Sequence, residues 1–246
     1  MANIINFGSL YLGKLPVPIG TQYTPQSAIS IGNTAAGKEI SWVVVNGMLI
    51  ADRCILYNVS WTDLDENGLA LGTPVFIDGV WYQARLLRMS YDEEPPNEWD
   101  EALDVVGEDD QIWHWKNNFF WGQEIGHSMD DECVFRGFYT ARAWNYYEGF
   151  ARSDNTGFRP VLVPANTDME KIKEGAELVA WGGQSMVRGR LVQMSDYDLI
   201  LSDWSGMSAE AVQDSYFATA LPNQMLVIDR SCLFGVQKIA VGRKNA

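Results

Sequence analysis

Short apolar runs separated by turn dipeptides recur along the chain, and this pattern predicts strands in preference to long helices. Residues 39–56 hold two apolar, β-branched runs split by Asn46-Gly47, and residues 73–90 hold two more split by Asp78-Gly79. Asn-Gly and Asp-Gly tolerate positive φ, so each pair of runs is predicted to form a β-hairpin. The polar stretch 62–72 between them is typical of a turn.

Two other segments depart from this pattern. Residues 1–38 are rich in Gly, Pro, Thr and Ser, which predicts an extended or irregular start with at most one short strand near residues 4–12. Residues 91–111 carry ten acidic side chains and no Lys or Arg. Within them, Asn97 is suited to cap a short helix that has acidic residues in its first turn.

The C-terminal part of the chain has a different pattern of polar and apolar residues. The polar segment 163–175, which contains a Pro and no apolar period, is interpreted as a domain boundary. Residues 177–239 alternate or run apolar as about five strands, interrupted by a polar insertion at 205–223. This pattern predicts a small all-β module.

The net charge limits which partners the protein can bind, and the cysteine content indicates its compartment. The 246 residues carry a formal net charge of −14, which disfavours direct binding to nucleic acid or to an anionic membrane, since both need a basic surface. Three scattered cysteines fit a reducing compartment better than a disulfide scaffold. No signal peptide and no run of about 20 apolar residues is visible. We therefore expect a cytoplasmic protein, with association with a virion as the alternative.

The sequence carries no recognised catalytic or cofactor-binding motif. Nucleophile-elbow, phosphate-loop and dinucleotide-binding patterns are missing, and His114 and His127 lack the neighbouring His or Cys that a zinc site needs. Both histidines are interpreted as packing or surface residues. We expect a protein that is not an enzyme and that uses no cofactor and no metal.

Aromatic and small polar side chains crowd the stretch 142–155, directly before the apolar run 157–162. Trp and Tyr give a large contact area at low entropic cost, while Ser, Asn and Gly supply adaptable hydrogen bonds. This composition favours a ligand-binding surface, and a plain loop that covers the core is the alternative. The candidate ligand-binding residues are Trp144, Asn145, Tyr146, Tyr147, Phe150, Ser153, Asp154 and Asn155.

The run 157–162, GFRPVL, is predicted to be one buried strand that supports this surface. Gly157 and Arg159 are interpreted as structural residues of the strand. Arg159 would lie among apolar neighbours, and a buried charge needs a partner. We therefore expect Arg159 to pair with a carboxylate.

The acidic segment 92–110 has two interpretations. Spaced carboxylates on a folded surface can imitate the phosphates of a nucleic acid and so occupy a basic groove on another protein. The candidate acidic surface consists of Glu93, Glu94, Asp109 and Asp110. The alternative is a solvated loop that only increases solubility.

Residues 136–144 (RGFYTARAW) and 157–162 (GFRPVL) resemble the closing segment of C-type-lectin-like domains related to formylglycine-generating enzymes. The likeness is strongest to variable proteins of diversity-generating retroelements in phages and bacteria, in which residues before the GFRP strand form a displayed ligand-binding surface. The resemblance covers residues 1–163 and implies an α+β domain of phage or mobile-element origin. The paired catalytic cysteines of the enzymes have no match here, so oxidase activity is not implied.

Residues 187–204 and 225–239 resemble the Sm-like fold. Four residues fit the first motif of that family: Gly189, Leu191, Asp196 and Leu201. Gly189 and Asp196 are accordingly interpreted as structural residues. The resemblance implies a five-stranded barrel that joins further copies through its edge strands into a ring. A monomeric barrel whose edge is covered by the insertion 205–223 is the alternative.

These patterns together predict two domains. Residues 1–165 would form an α+β C-type-lectin-like ligand-binding domain with short hairpins, and residues 175–246 an all-β, Sm-like five-stranded barrel. The predicted function is non-enzymatic binding of a protein or other macromolecule, made multivalent where the barrel forms a homo-oligomer. Two alternatives stay open. One is an acidic inhibitor of a host nuclease or defence complex that acts as a nucleic-acid mimic, and the other is an oligomer that sequesters a nucleotide.

Overall fold

The computed structural model describes residues 2–89, 97–126, 132–206 and 216–239. The chain is mostly β, with 48% strand and 12% helix, and its strands form several sheets and a half-barrel. The predicted class, an α+β domain followed by a separate five-stranded barrel, is therefore wrong. The described helices have six, nine and four residues, which is too little to build the helical layer of an α+β fold.

The helices are α1 (Trp61–Glu66), α2 (Glu98–Val106) and α3 (Asp110–Trp113), with 3-10 turns at Met169–Lys171 and Arg230–Cys232. The strands of the described residues are, in chain order, β1 (Ile4–Leu12), β2 (Leu15–Pro16), β3 (Thr21–Gln22), β4 (Ile29–Gly32), β5 (Glu39–Val45), β6 (Met48–Ala51), β7 (Leu56–Tyr57), β8 (Thr73–Ile77), β9 (Val80–Arg85), β10 (Phe119–Ile125), β11 (Glu132–Gly137), β12 (Trp144–Glu148), β13 (Thr156–Phe158), β14 (Val161–Pro164), β15 (Glu177–Gly182), β16 (Ser185–Met194), β17 (Asp198–Ser205), β18 (Ala218–Ala220), β19 (Leu226–Asp229) and β20 (Gly235–Lys238). None of the described helices combines the length and the apolar character needed to cross a membrane.

The strands form three sheets. The first sheet has the order β2-β1-β5-β6-β14-β9-β8, with β4 also paired to β1, and the second has the order β12-β11-β10-β13-β7-β3. The third sheet has the order β18-β19-β17-β16-β15-β20. The pairs β10–β13 and β3–β7 are parallel, and the other strand pairs are antiparallel. The third sheet takes its strands from residues after 176, and the first two take theirs from residues before 165.

Both predicted hairpins are confirmed. β5 and β6 pair across Asn46-Gly47, and β8 and β9 pair across Asp78-Gly79. All four turn residues have positive φ, as these dipeptides allow. The helix predicted from Asn97 is also confirmed, because the Asn97 side chain accepts hydrogen bonds from the first backbone amides of α2.

Two predictions for the N-terminal third are wrong. The strand near residues 4–12 is present as β1, but β2, β3 and β4 were missed, and two of these have only two residues, too few for a hydrophobic pattern. The stretch 62–72 begins inside α1 and is not a plain turn. Its signal is a capping box, in which Ser60 and Asp63 each accept a hydrogen bond from the other's backbone amide.

The GFRPVL run is buried as predicted, but it forms two strands that belong to different sheets. β13 pairs with β10 and β7 in the second sheet, whereas β14 pairs with β6 and β9 in the first. The break falls at Arg159-Pro160, because proline has no N–H to donate to a ladder. A Cβ at Gly157 would lie 2.4 Å from the Leu56 carbonyl oxygen, which explains the glycine at this crossing.

The C-terminal residues form a six-stranded sheet and not a five-stranded barrel. β18 lies in the region predicted to be a polar insertion and pairs with β19, which adds the sixth strand. Residues 207–215 of that insertion lie outside the described residues. Gly189 is buried on β16, where a Cβ would meet the Ser202 carbonyl oxygen at 3.0 Å. Asp196 is exposed in the turn between β16 and β17.

A single buried cluster connects the three sheets. It combines Trp42 of the first sheet with Trp121 and Phe158 of the second, and it extends to Trp181 and Met186 of the third. The third sheet is therefore packed against the first through apolar side chains. A second cluster, centred on Trp99, lies beside α2 and α3 and supports the other face of the second sheet.

Candidate functional site

Five aromatic rings form a continuous row along one side of the second sheet. We call them the aromatic surface: Tyr147, Phe135, Phe119, Phe138 and Tyr139. Successive ring centroids in this order lie 5.9, 4.6, 4.6 and 4.7 Å apart. Tyr147 is 49% exposed and Tyr139 is 76% exposed, whereas Phe135 is buried. Exposed rings that rest on buried ones are fixed in place, which is the arrangement found at binding hot spots.

The predicted residues Trp144 to Tyr147 lie on β12, the edge strand of the second sheet. β12 pairs with β11 and, within the described part of the chain, with no other strand. Trp144 and Tyr146 point to the side opposite Tyr147, with ring centroids 5.5 Å apart. The Asn145 side chain accepts a hydrogen bond from the Tyr146 amide at 2.9 Å. Asn145 thus satisfies the backbone donor of its neighbour Tyr146.

The loop after β12 holds the remaining predicted ligand-binding residues and is anchored by its backbone. Three loop carbonyls accept hydrogen bonds from the scaffold: that of Ser153 from the Asn58 amide (3.2 Å), that of Asp154 from the Gln22 side chain (3.3 Å) and that of Asn155 from the Phe119 amide (2.8 Å). The Ser153 hydroxyl also donates to the Asn155 side chain at 2.5 Å. The exposed side chains of Phe150 and Asp154 are left facing solvent.

A buried carboxylate fixes the same loop to α1. Arg152 donates two hydrogen bonds to Asp63, at 2.6 and 2.8 Å. Burial would raise the pKa of Asp63, but hydrogen bonds from Arg152 and Ser60 hold it below its usual value. The loop is therefore held by an ionised pair at neutral pH.

Arg159 is fully buried and joins three parts of the scaffold. Its guanidinium donates to the carbonyls of Asp52 (3.2 Å) and Trp113 (2.6 Å). Its central carbon lies 4.3 Å from the centroid of the Phe120 ring and 5.0 Å from that of Trp99. The acceptors are main-chain carbonyls and not the carboxylate that we expected, and the two ring faces stabilise the charge. Arg159 thus fixes the crossing between β13 and β14, shortly after the loop that follows β12.

A second buried arginine, Arg136, fixes the base of the turn that carries Phe138. It donates to the Met89 carbonyl at 2.9 Å and forms an ion pair with Asp100 at 3.1 Å. Because Arg136 lies at the end of β11, these contacts also set the position of the strand beside β12.

Phe138 has a strained backbone. Its φ is 72°, in the left-handed region that bulky side chains rarely adopt. Hydrogen bonds from its amide to the carbonyls of Trp115 (3.1 Å) and Asn118 (3.0 Å) hold it there. Strain of this kind persists where the surroundings over-determine it, and functional sites are common among such places. Sequence reasoning missed Phe119, Phe135, Phe138 and Tyr139 of the aromatic surface.

The described acidic residues near α2 are largely engaged within the protein. Four carboxylates pair with arginines: Glu98 with Arg85 and Arg88, Asp100 with Arg136, and Asp104 and Glu108 with Arg142. Asp109 caps α3, and Asp110 accepts a hydrogen bond from the Lys116 amide. Glu93 and Glu94 lie outside the described residues. The described part of this segment therefore offers few unpaired carboxylates to a basic partner.

No candidate metal site is found in the described part of the chain. Its His, Cys, Asp and Glu side chains form no group of three or more that could hold a metal ion. Burial raises the pKa of Cys54 to about 11, so the thiol is protonated at neutral pH. His114 contacts Arg53 (2.5 Å) and Asp52 (3.6 Å), and burial lowers its pKa. His127 lies outside the described residues.

Comparison of the chain with family models, with curated proteins and with solved structures found no match in any of the three. The resemblances to C-type-lectin-like and Sm-like proteins thus stay predictions from short motifs.

Proposed function

We propose that this protein is a non-enzymatic binding protein that recognises a macromolecular partner through the aromatic surface and the adjoining edge strand β12. The observation that carries the proposal is the row of five contacting rings, exposed at both ends and half-buried or buried between them. Rings that are fixed before binding lose little entropy on binding, so more of their contact energy appears as affinity.

The partner that fits this surface is a protein segment in extended conformation. β12 has one open edge among the described strands, and an extended peptide can add to such an edge through main-chain hydrogen bonds. Tyr147 and Trp144 lie on opposite faces of β12 and would contact alternate side chains of the added strand. The net charge of −14 favours a basic partner.

The nucleic-acid mimic is less well supported as an alternative, because four described carboxylates in and beside α2 are paired with arginines of the same chain. An origin in a phage or mobile element, a cytoplasmic or virion-associated location, and homo-oligomerisation stay predictions from the sequence. None of them is needed for recognition through the aromatic surface.

We expect that combining Tyr139→Ala with Tyr147→Ala weakens partner binding at least about thirtyfold, since both exposed ends of a hot spot are removed. The probe is a peptide selected from a displayed library against the immobilised full chain. Its dissociation constant is measured by calorimetry for the wild type and for the double variant.

Two matched controls accompany this measurement. Tyr197→Ala and Tyr216→Ala remove tyrosines that are 79% and 96% exposed but lie in the C-terminal part, and we expect no change in affinity. Undiminished binding by the double variant would contradict the proposal. A loss confined to the charge reversals Asp109→Lys and Asp110→Lys would favour the acidic mimic.

A further inference from the structure

A cavity of about 220 Å³ lies at the seam between the first and the third sheets. Its walls are mainly apolar, with Phe7 and Ile77 from the first sheet and Val179 and Met186 from the third. The seam is fixed by buried Gln237, whose side chain exchanges two hydrogen bonds with the Trp81 backbone. Strands of both sheets therefore form the walls of the cavity.

Two hydrogen-bond donors line this cavity, the Tyr82 hydroxyl and the Arg188 guanidinium. Tyr82 is only 3% exposed, yet its hydroxyl makes no hydrogen bond to any described residue. Arg188, on β16, is exposed and likewise forms no hydrogen bond or ion pair within the described ranges. Both groups are donors, so a ligand that contacts both of them must offer an acceptor.

The second charged group that lines the cavity, Asp78, is already engaged. Its carboxylate accepts a hydrogen bond from the Thr34 amide at 3.1 Å and another from the Thr34 hydroxyl. Asp78 does not occupy the donors Tyr82 and Arg188, which stay available to a ligand. The negative charge of Asp78 would repel a second anionic group on that ligand. The charge pattern therefore fits one carboxylate and disfavours two.

The size of the cavity limits the ligand. An apolar cavity of about 150 Å³ is enough for one benzene ring, whereas pockets for drug-sized ligands begin at about 300 Å³. The present volume of about 220 Å³ has room for one ring and a short polar chain.

We propose that this seam cavity binds a small arylalkyl monocarboxylate. The ring lies against Phe7 and Met186, the Tyr82 hydroxyl donates to the carboxylate, and Arg188 pairs with its charge. This site goes beyond the proposed recognition function, because it uses residues of the first and third sheets and none of the aromatic surface.

The test uses 3-phenylpropionate with the full chain. We expect saturable binding by calorimetry and a rise in melting temperature with ligand concentration. Tyr82→Phe should weaken binding about tenfold without lowering the melting temperature of the ligand-free protein, since its hydroxyl has no partner to lose. Arg188→Gln should weaken binding at least about threefold, and the neutral amide of the same acid should bind less tightly than the acid.

The matched control is Arg190→Gln, which removes the same charge from the same strand. Arg190 pairs with Glu177 and does not line the cavity, so binding should not change. Absence of saturable 3-phenylpropionate binding would overturn the proposal. Equal affinities for the wild type, Tyr82→Phe and Arg188→Gln would overturn it as well.

Discussion

Arg159→Ala is expected to lower the free energy of unfolding by about 4 kcal/mol. The substitution leaves the carbonyls of Asp52 and Trp113 without their donor and removes the guanidinium from between the Phe120 and Trp99 rings. The lost hydrogen bonds and the cavity left behind act in the same direction. Urea denaturation followed by tryptophan fluorescence measures the change.

The matched control for Arg159 is an exposed arginine. Arg190 forms a single ion pair with Glu177 at 3.1 Å and is largely solvated, so Arg190→Ala should change stability by no more than about 1 kcal/mol. Arg159→Lys keeps the charge but loses the planar, forked guanidinium. Its free energy of unfolding should lie between those of the wild type and Arg159→Ala. A stability of Arg159→Ala equal to that of Arg190→Ala would contradict the structural role assigned to Arg159.

Glu98→Ala is expected to cost about 3–5 kcal/mol, because it leaves a buried guanidinium without its counter-charge. Glu98 is 3% exposed and accepts hydrogen bonds from Arg85 at 2.7 and 2.8 Å, and Arg85 itself is 8% exposed. Arg88 adds further hydrogen bonds from its side chain and its amide. The same urea titration at neutral pH measures this loss. The control is Glu177→Ala, which removes a half-buried carboxylate that pairs with the exposed Arg190.

The pH dependence gives a second readout for Glu98. Burial would raise the pKa of Glu98, but hydrogen bonds from Arg85 and Arg88 hold it below its usual value of 4.5. A carboxyl with a lowered pKa in the folded state stabilises the protein above pH 4.5, and this contribution is lost as the pH falls through the folded pKa. The free energy of unfolding of the wild type should therefore approach that of Glu98→Ala as the pH falls below 4.5. A difference between the two proteins that stays constant down to pH 2 would contradict this account.

Local features of the fold were predictable where one short signal decides the structure. Asn46-Gly47 and Asp78-Gly79 specify hairpin turns because few other residues accept positive φ, and Asn97 specifies a helix start through its own side chain. Sheet membership was not predictable from such signals. Residues 157–162 are uniformly apolar around Arg159, and hydrophobicity alone does not reveal that Pro160 sends the chain from one sheet to another.

Part of the candidate site was predicted, and the rest was missed because it depends on strand pairing. Tyr147 and Trp144 lie in a compositionally unusual stretch, so residue type alone pointed to them. Phe119 and Phe135 lie in ordinary apolar runs of β10 and β11, and only the pairing of three strands brings their rings beside Tyr147. The partner of Arg159 was predicted wrongly because main-chain carbonyls leave no trace in a sequence.

The most direct test of recognition through the aromatic surface is amide hydrogen exchange on the full chain, with and without the peptide selected against that chain. Added protection is predicted in β12 and at residues 117–119 and 138–139, with no change in α2, α3 or the third sheet. Protection limited to α2 and α3 or to the third sheet, with β12 unchanged, would contradict recognition through the aromatic surface.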